Sequence, residues 1–189
     1  PSEACVKVSL GDVAQGDVEL EDVATNEMKI VMISDLHLGA LDSEERLAGI
    51  VDEINGLEPD LVCMVGDIFD NDYEAIRDPD EAARLLGNIA ATYGVYACLG
   101  NHDAGETLGE MEKFLERSGI QLLNDEYVVI DGRFILAGRL DSSPIGGFGD
   151  MNRTEFARVM EGAPQTLPVV VMDHNPANIG EYGSEVDLV

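Results

Sequence analysis

Residues 29–39 read Lys29-Ile-Val-Met-Ile-Ser-Asp-Leu-His-Leu-Gly39. The opening residues are nearly all apolar and carry no Gly or Pro, so the run reads as a short strand buried on both faces. It ends in a polar cluster, Ser34-Asp35-Leu36-His37, and the same pattern recurs along the chain. Leu61-Val-Cys-Met-Val65 runs into Gly66-Asp67, and Gly94-Val-Tyr-Ala-Cys-Leu99 runs into Gly100-Asn101-His102-Asp103. Pro168-Val-Val-Val-Met172 runs into Asp173-His174-Asn175-Pro176. Polar motifs that follow buried strands lie at the strands' carboxyl ends, the edge where open α/β sheets bind ligands.

Between these runs the spacing turns helical. Leu47, Ile50, Val51 and Ile54 predict a helix from Ser43 to Asn55, with Ser43 as N-cap. Arg46 stands where a capping box needs Glu or Gln. Further helices are predicted over Pro79–Thr92 and Leu108–Ser118. Strand, helix and strand at about 30-residue spacing imply right-handed βαβ units and a parallel sheet.

After Gly119 the pattern changes: Tyr127-Val-Val-Ile130 and Phe134-Ile-Leu-Ala137 flank Asp131-Gly132, the signal of a two-residue hairpin. A Gly-rich loop, Ser142 to Asp150, leads into a short helix near Arg153–Met160, and Val186–Val189 reads as the start of a strand. Residues 1–27 read as polar edge strands, and residues 1–189 as one domain.

The chain has 11 basic and 38 acidic residues, a net charge of −27. Most of that excess reads as a solvated acidic coat. Such a surface repels nucleic acid and anionic membranes unless cations intervene. Of the three cysteines, Cys63 and Cys98 lie in apolar runs and read as buried, reduced thiols, which favours a cytoplasmic setting. No apolar stretch reaches the roughly 20 residues that span a bilayer. The chain begins at Pro1 without a signal peptide, so a peripheral membrane location would depend on an upstream segment.

Residues two apart in extended chain point the same way, so Asp35 and His37 are expected to grip one ion together. Asp67, on its glycine turn, can lend its two oxygens to two neighbouring ions. Asn101 offers a neutral oxygen and His174 a further nitrogen. These donors suit zinc, iron or manganese. Each motif alone is ordinary turn chemistry. All three histidines nevertheless fall inside the motifs, and the set points to a metal centre.

Ile33-Ser-Asp-Leu-His-Leu-Gly39, Val65-Gly-Asp67, Leu99-Gly-Asn-His-Asp103 and His174-Asn-Pro176 resemble the motif series of the calcineurin-like metallophosphoesterases. The resemblance runs from about Met28 to the last residue and is nearest in kind to small bacterial phosphoesterases. It implies an α/β fold, an αββα sandwich with two divalent ions. Asp35 and His37 would bind the first ion, Asp67 would bridge both, and Asn101 and His174 would bind the second. His102 would face the substrate phosphate and assist the leaving oxygen, and Asp103 would hydrogen-bond His102. The implied reaction is phosphate-ester hydrolysis, most readily of a phosphodiester, by a hydroxide activated between the two metals. A small-molecule or lipid-linked substrate fits the charge better than nucleic acid does. The alternatives are a binding or scaffold module of the same fold and a metal-dependent nuclease. The family's late Gly-His-X-His motif is absent. From that absence the C-terminal part of the sandwich is expected to be missing, with weak metal binding and little turnover in this 189-residue chain.

Overall fold

Alternating side chains along the strands build two sheets into one sandwich. In the computed structural model, which describes residues 4–8, 28–41 and 43–189, the first sheet has the order β1 (Ala4–Val8), β2 (Met28–Ile33), β3 (Leu61–Val65), β4 (Val95–Cys98), β5 (Gln121–Leu122). β1 pairs antiparallel with β2, and the other neighbours are parallel. The second sheet is β6 (Glu126–Ile130), β7 (Phe134–Gly138), β8 (Val169–Met172), antiparallel and then parallel.

Leu61, Cys63 and Val65 of β3 meet Phe134 and Leu136 of β7 and Val170 and Met172 of β8 between the sheets. The alternate residues Val62, Met64, Val95 and Ala97 pack beneath the helices α1 (Ser43–Gly56), α2 (Pro79–Leu86) and α3 (Leu108–Arg117). On the far side, Ile135, Ala137, Val169 and Val171 pack against Phe156 and Val159 of α4 (Phe156–Val159). The layers therefore run helices, sheet, sheet, helix. This is the αββα sandwich that the resemblance implies. β3, β4, β7 and β8 are buried along their whole length, which explains their continuously apolar sequences, whereas β2 is buried only in part and leaves Met32 42% exposed, contrary to expectation.

Several boundaries differ from the periodicity. α2 ends at Leu86 rather than Thr92, because the Asn55 side chain takes over the next segment, donating to Asn88 O at 3.0 Å and accepting from Ala90 N at 2.8 Å. α4 starts at Phe156 rather than Arg153, because Arg153 and Thr154 are drawn into polar contacts with Asp173 and Asp125. In the hairpin, Ile130 pairs with Phe134, so three residues intervene rather than two. Asp131 and Gly132 take φ of 49° and 67° there. Leu188 makes a parallel bridge to Val170, the only strand-like contact of the Val186–Val189 run among the described residues. Ala4–Val8 supplies one of the expected edge strands; residues 9–27 lie outside the described residues. Among the described residues no helix is long and apolar enough to cross a membrane.

Candidate metal centre

The carboxyl ends of β2, β3, β4 and β8 bring the polar motifs together. The β2 and β3 loops are laced by main-chain bonds: Asp35 N donates to Gly66 O at 3.2 Å and His37 N to Asp67 O at 3.0 Å. Asp35, His37 and Asp67 all have positive φ, at 59°, 47° and 52°. Strand alternation is therefore not what unites Asp35 and His37, contrary to expectation; a left-handed turn does it. The His37 Nε2 atom lies 3.8 Å from Asp35 Oδ1 and 3.8 Å from Asp67 Oδ2. Ligand atoms of Asp35, His37 and Asp67 all lie within 4.8 Å of one another.

Two glycines set the closeness of the parts. At Gly66, with φ of 73°, an added Cβ would come within 2.6 Å of the His174 ring. At Gly100 it would overlap Asp67 N and Oδ1. Both positions let backbone or ring approach where any side chain would collide.

Asp67 is the hub. Its carboxylate accepts from His102 N at 2.9 Å and lies 3.3 Å from His174 Nε2. Burial alone would raise the Asp67 carboxyl, but the hydrogen bonds from His174 and the His102 amide prevail and hold it below the ordinary carboxylate range. His174 is pushed up to about 9, first by its hydrogen bond with Asp67, against the opposing pull of burial. His174 Nδ1 lies 3.0 Å from Val65 O. A carbonyl can only accept, so Nδ1 carries a proton and Nε2 is the atom presented to Asp67. A position that draws a proton between an imidazole and a buried carboxylate also suits a divalent cation. With carboxylate oxygens and imidazole nitrogens as donors, the residues fit a borderline metal ion.

Asp70 forms a second cluster with His37 and His102. Its Oδ1 lies 3.3 Å from His37 Nδ1 and 3.5 Å from His102 Nδ1. The two imidazoles stand edge to face, with centroids 4.9 Å apart. Asp103 does not take the expected place at His102. Its fully buried carboxylate accepts from Phe69 N at 2.7 Å and Gly100 N at 2.8 Å, and burial pushes it up to about 6. Asp103 thus pins the β3 and β4 loops to each other, and Asp70 is the carboxylate beside His102. The physical reason is that buried main-chain amides need acceptors and claim the Asp103 oxygens first.

Asn101 is half-buried between Gly100 and His102, and its carbonyl accepts from Ile145 N at 2.9 Å. Together with Gly105 N to Gly147 O at 2.9 Å, this docks the Gly-rich 142–150 loop onto the β4 motif. Asp70 was missed in the sequence, although it stands three residues after Asp67 in Gly66-Asp-Ile-Phe-Asp70, where a loop leaving the strand still borders the centre. Arg153 and Tyr182, which hold Asp173, carried no motif signal at all.

The sequence profile of the calcineurin-like phosphoesterases matches residues 28–188. An uncharacterised metallophosphoesterase of Aquifex aeolicus is 29% identical over 163 residues, covering 86% of this chain and 61% of its own. A UDP-2,3-diacylglucosamine pyrophosphatase of Chlamydia trachomatis is 34% identical over 76 residues, covering 40% of this chain and 22% of its own. The solved NAD nucleotidase of Haemophilus influenzae superposes with a TM-score of 0.59 at 16% identity, over 84% of this chain and 37% of that one. That likeness is one of fold. The chain spans about half the length of the curated relatives it matches.

Proposed function

Since the chain belongs to the calcineurin-like phosphoesterase family, we propose that it is a metal-dependent hydrolase of phosphate esters, and specifically a phosphodiesterase acting on a small or lipid-linked substrate. The observation that carries this reading is the convergence of Asp35, His37 and His174 on the buried Asp67. Asp35, His37 and Asp67 would hold one divalent ion, and Asp67, His174 and Asn101 a second. Bound divalent ions supply a water nucleophile at neutral pH and neutralise charge on phosphate oxygens.

The chain's own residues do the rest. Asp67, acidified by its hydrogen bonds, keeps its negative charge across the physiological range. His174 presents Nε2 because Val65 O holds the opposite nitrogen. His102, more exposed than Asp67 and flanked by Asp70, is placed to pass a proton to the departing oxygen. Asp70 stands 3.5 Å from the Nδ1 of that ring, close enough to support its charged form, and Asp103 anchors the main chain beneath it through Gly100 N. The activity of the UDP-2,3-diacylglucosamine pyrophosphatase relative supports a small or lipid-linked phosphate substrate.

The test is release of p-nitrophenol from bis-p-nitrophenyl phosphate and from p-nitrophenyl phosphate, with manganese and then with EDTA. Slow, manganese-dependent turnover that favours the diester and is lost in Asp67→Ala is the expected result. Metal-independent turnover, or none from folded wild type, overturns the reading. His102→Ala is expected to slow hydrolysis of alkyl esters by about 10²–10⁴-fold, with a smaller loss on p-nitrophenyl esters, whose leaving group needs no proton. Equal losses on both would remove His102 from its role.

A further inference from the structure

A buried carboxylate precedes His174 in the chain. The Asp173 side chain is only 1% exposed, and a buried carboxylate needs a partner to remain charged. That partner is Arg153, whose Nη2 lies 2.7 Å from Asp173 Oδ2 and 2.9 Å from Glu181 Oε2. The same guanidinium donates through Nη1 to Leu140 O, at the end of β7. Tyr182 OH donates to Asp173 Oδ2 as well, and Asp173 Oδ1 accepts from Asn175 N at 3.2 Å. One planar cation therefore ties the β7 exit, the β8 exit and the Pro176–Glu181 turn together. His174 thus lies between Asp173 and the Asn175 amide that Asp173 holds.

We propose that Arg153, acting through Asp173 and with Tyr182, is the positioning residue of His174. The fork fixes the 173–175 main chain, and that main chain sets the direction of Nε2 toward Asp67. A lysine would supply the charge without the two parallel donors. This inference rests on the reading of His174 as a metal-facing imidazole, but part of its test needs no metal.

The chain's three histidines give a ring spectrum simple enough to assign, so the metal-free protein is followed by NMR of the imidazole carbons and protons. Arg153→Met is expected to move the His174 ring signals and leave those of His37 and His102 in place. Arg153→Lys is expected to give a partial shift. If all three rings shift together in folded protein, or none does, the proposal fails. Tyr182→Phe removes one bond to Asp173, and its selective effect on His174 decides the matter should Arg153→Met not fold. Manganese titration supplies the second reading. Arg153→Met should weaken binding by about 10- to 100-fold in the wild-type background and leave it unchanged in a His174→Ala background. An equal loss in both backgrounds would assign Arg153 a general structural role and overturn the proposal. Wild type that binds no manganese would overturn the metal-centre reading while the ring signals still report on Arg153.

Discussion

Asp35, His37 and Asp67 hold φ of 59°, 47° and 52°, where a residue with a Cβ sits against its own main chain at a cost of about 1–3 kcal/mol. The bonds from Asp35 N and His37 N to the β3 exit hold the first two there. The centre's geometry is thus imposed by neighbours and not preferred locally. Gly100 is the tightest point, since a side chain there would overlap Asp67 main chain as well as its carboxylate. Gly100→Ala is expected to cost about 1–3 kcal/mol of stability and to displace Asp67, which denaturant unfolding and manganese titration would register together. His174 gives a pH dependence. Its folded value of about 9 exceeds the roughly 6.5 of an unfolded histidine. The stabilisation is therefore complete below about 6.5 and is lost as pH rises through 9, amounting to a few kcal/mol. In EDTA, wild type should lose melting temperature across that window and His174→Gln should lose much less. A flat wild-type profile would show that His174 and Asp67 are not coupled. At this scale the ligand types were legible in the motifs. The roles of Asp70 and Asp103 were not, because only the folded state brings two imidazoles to Asp70 and two main-chain amides to Asp103.

At the level of elements, the strands did most of what their sequences foretold. β3 occupies the predicted residues, Leu61–Val65, and β8 falls within the predicted run at Val169–Met172. A short apolar run buried on two faces has no other favourable place. Helix ends were less legible: α2 stops where Asn55, distant in sequence, satisfies the next amide and carbonyl. Sheet pairing rests on the layer between the sheets, where Leu136 of β7 is fully buried against β3 and β8 residues. Leu136→Ala should cost about 2–5 kcal/mol, seen as a lower urea midpoint with an unchanged slope. A cost below about 1 kcal/mol would mean that the second sheet contributes little to the cooperative unit. The sandwich also supplies the centre, since Gly138 pairs with Met172 and so sets the β7 and β8 exits side by side.

Over the whole molecule the charge dominates. A net −27 on one small fold is self-repulsive, and self-repulsion is screened as the Debye length shrinks from about 10 Å at 0.1 M salt to about 3 Å at 1 M. The exposed pairs Arg84–Glu81, Arg77–Glu45 and Arg117–Asp80 are each worth little and cannot offset it. The melting temperature should therefore rise between 0.1 M and 1 M potassium chloride, by about 2–4 °C for each kcal/mol relieved. A fall would show that attractive pairs outweigh the repulsion. The sequence by itself determined the acidic surface, the buried strands and the donor types at their ends, because composition and short-range periodicity are properties of contiguous residues. Only the tertiary structure decided that Asp70 stands beside His102, that Asp103 serves the main chain, and that Arg153 reaches Asp173. The pairs His102–Asp70, Phe69–Asp103 and Arg153–Asp173 join residues 20 to 34 positions apart by way of sheet register and loop docking, and the distribution of buried donors and acceptors is settled only when every layer is in place.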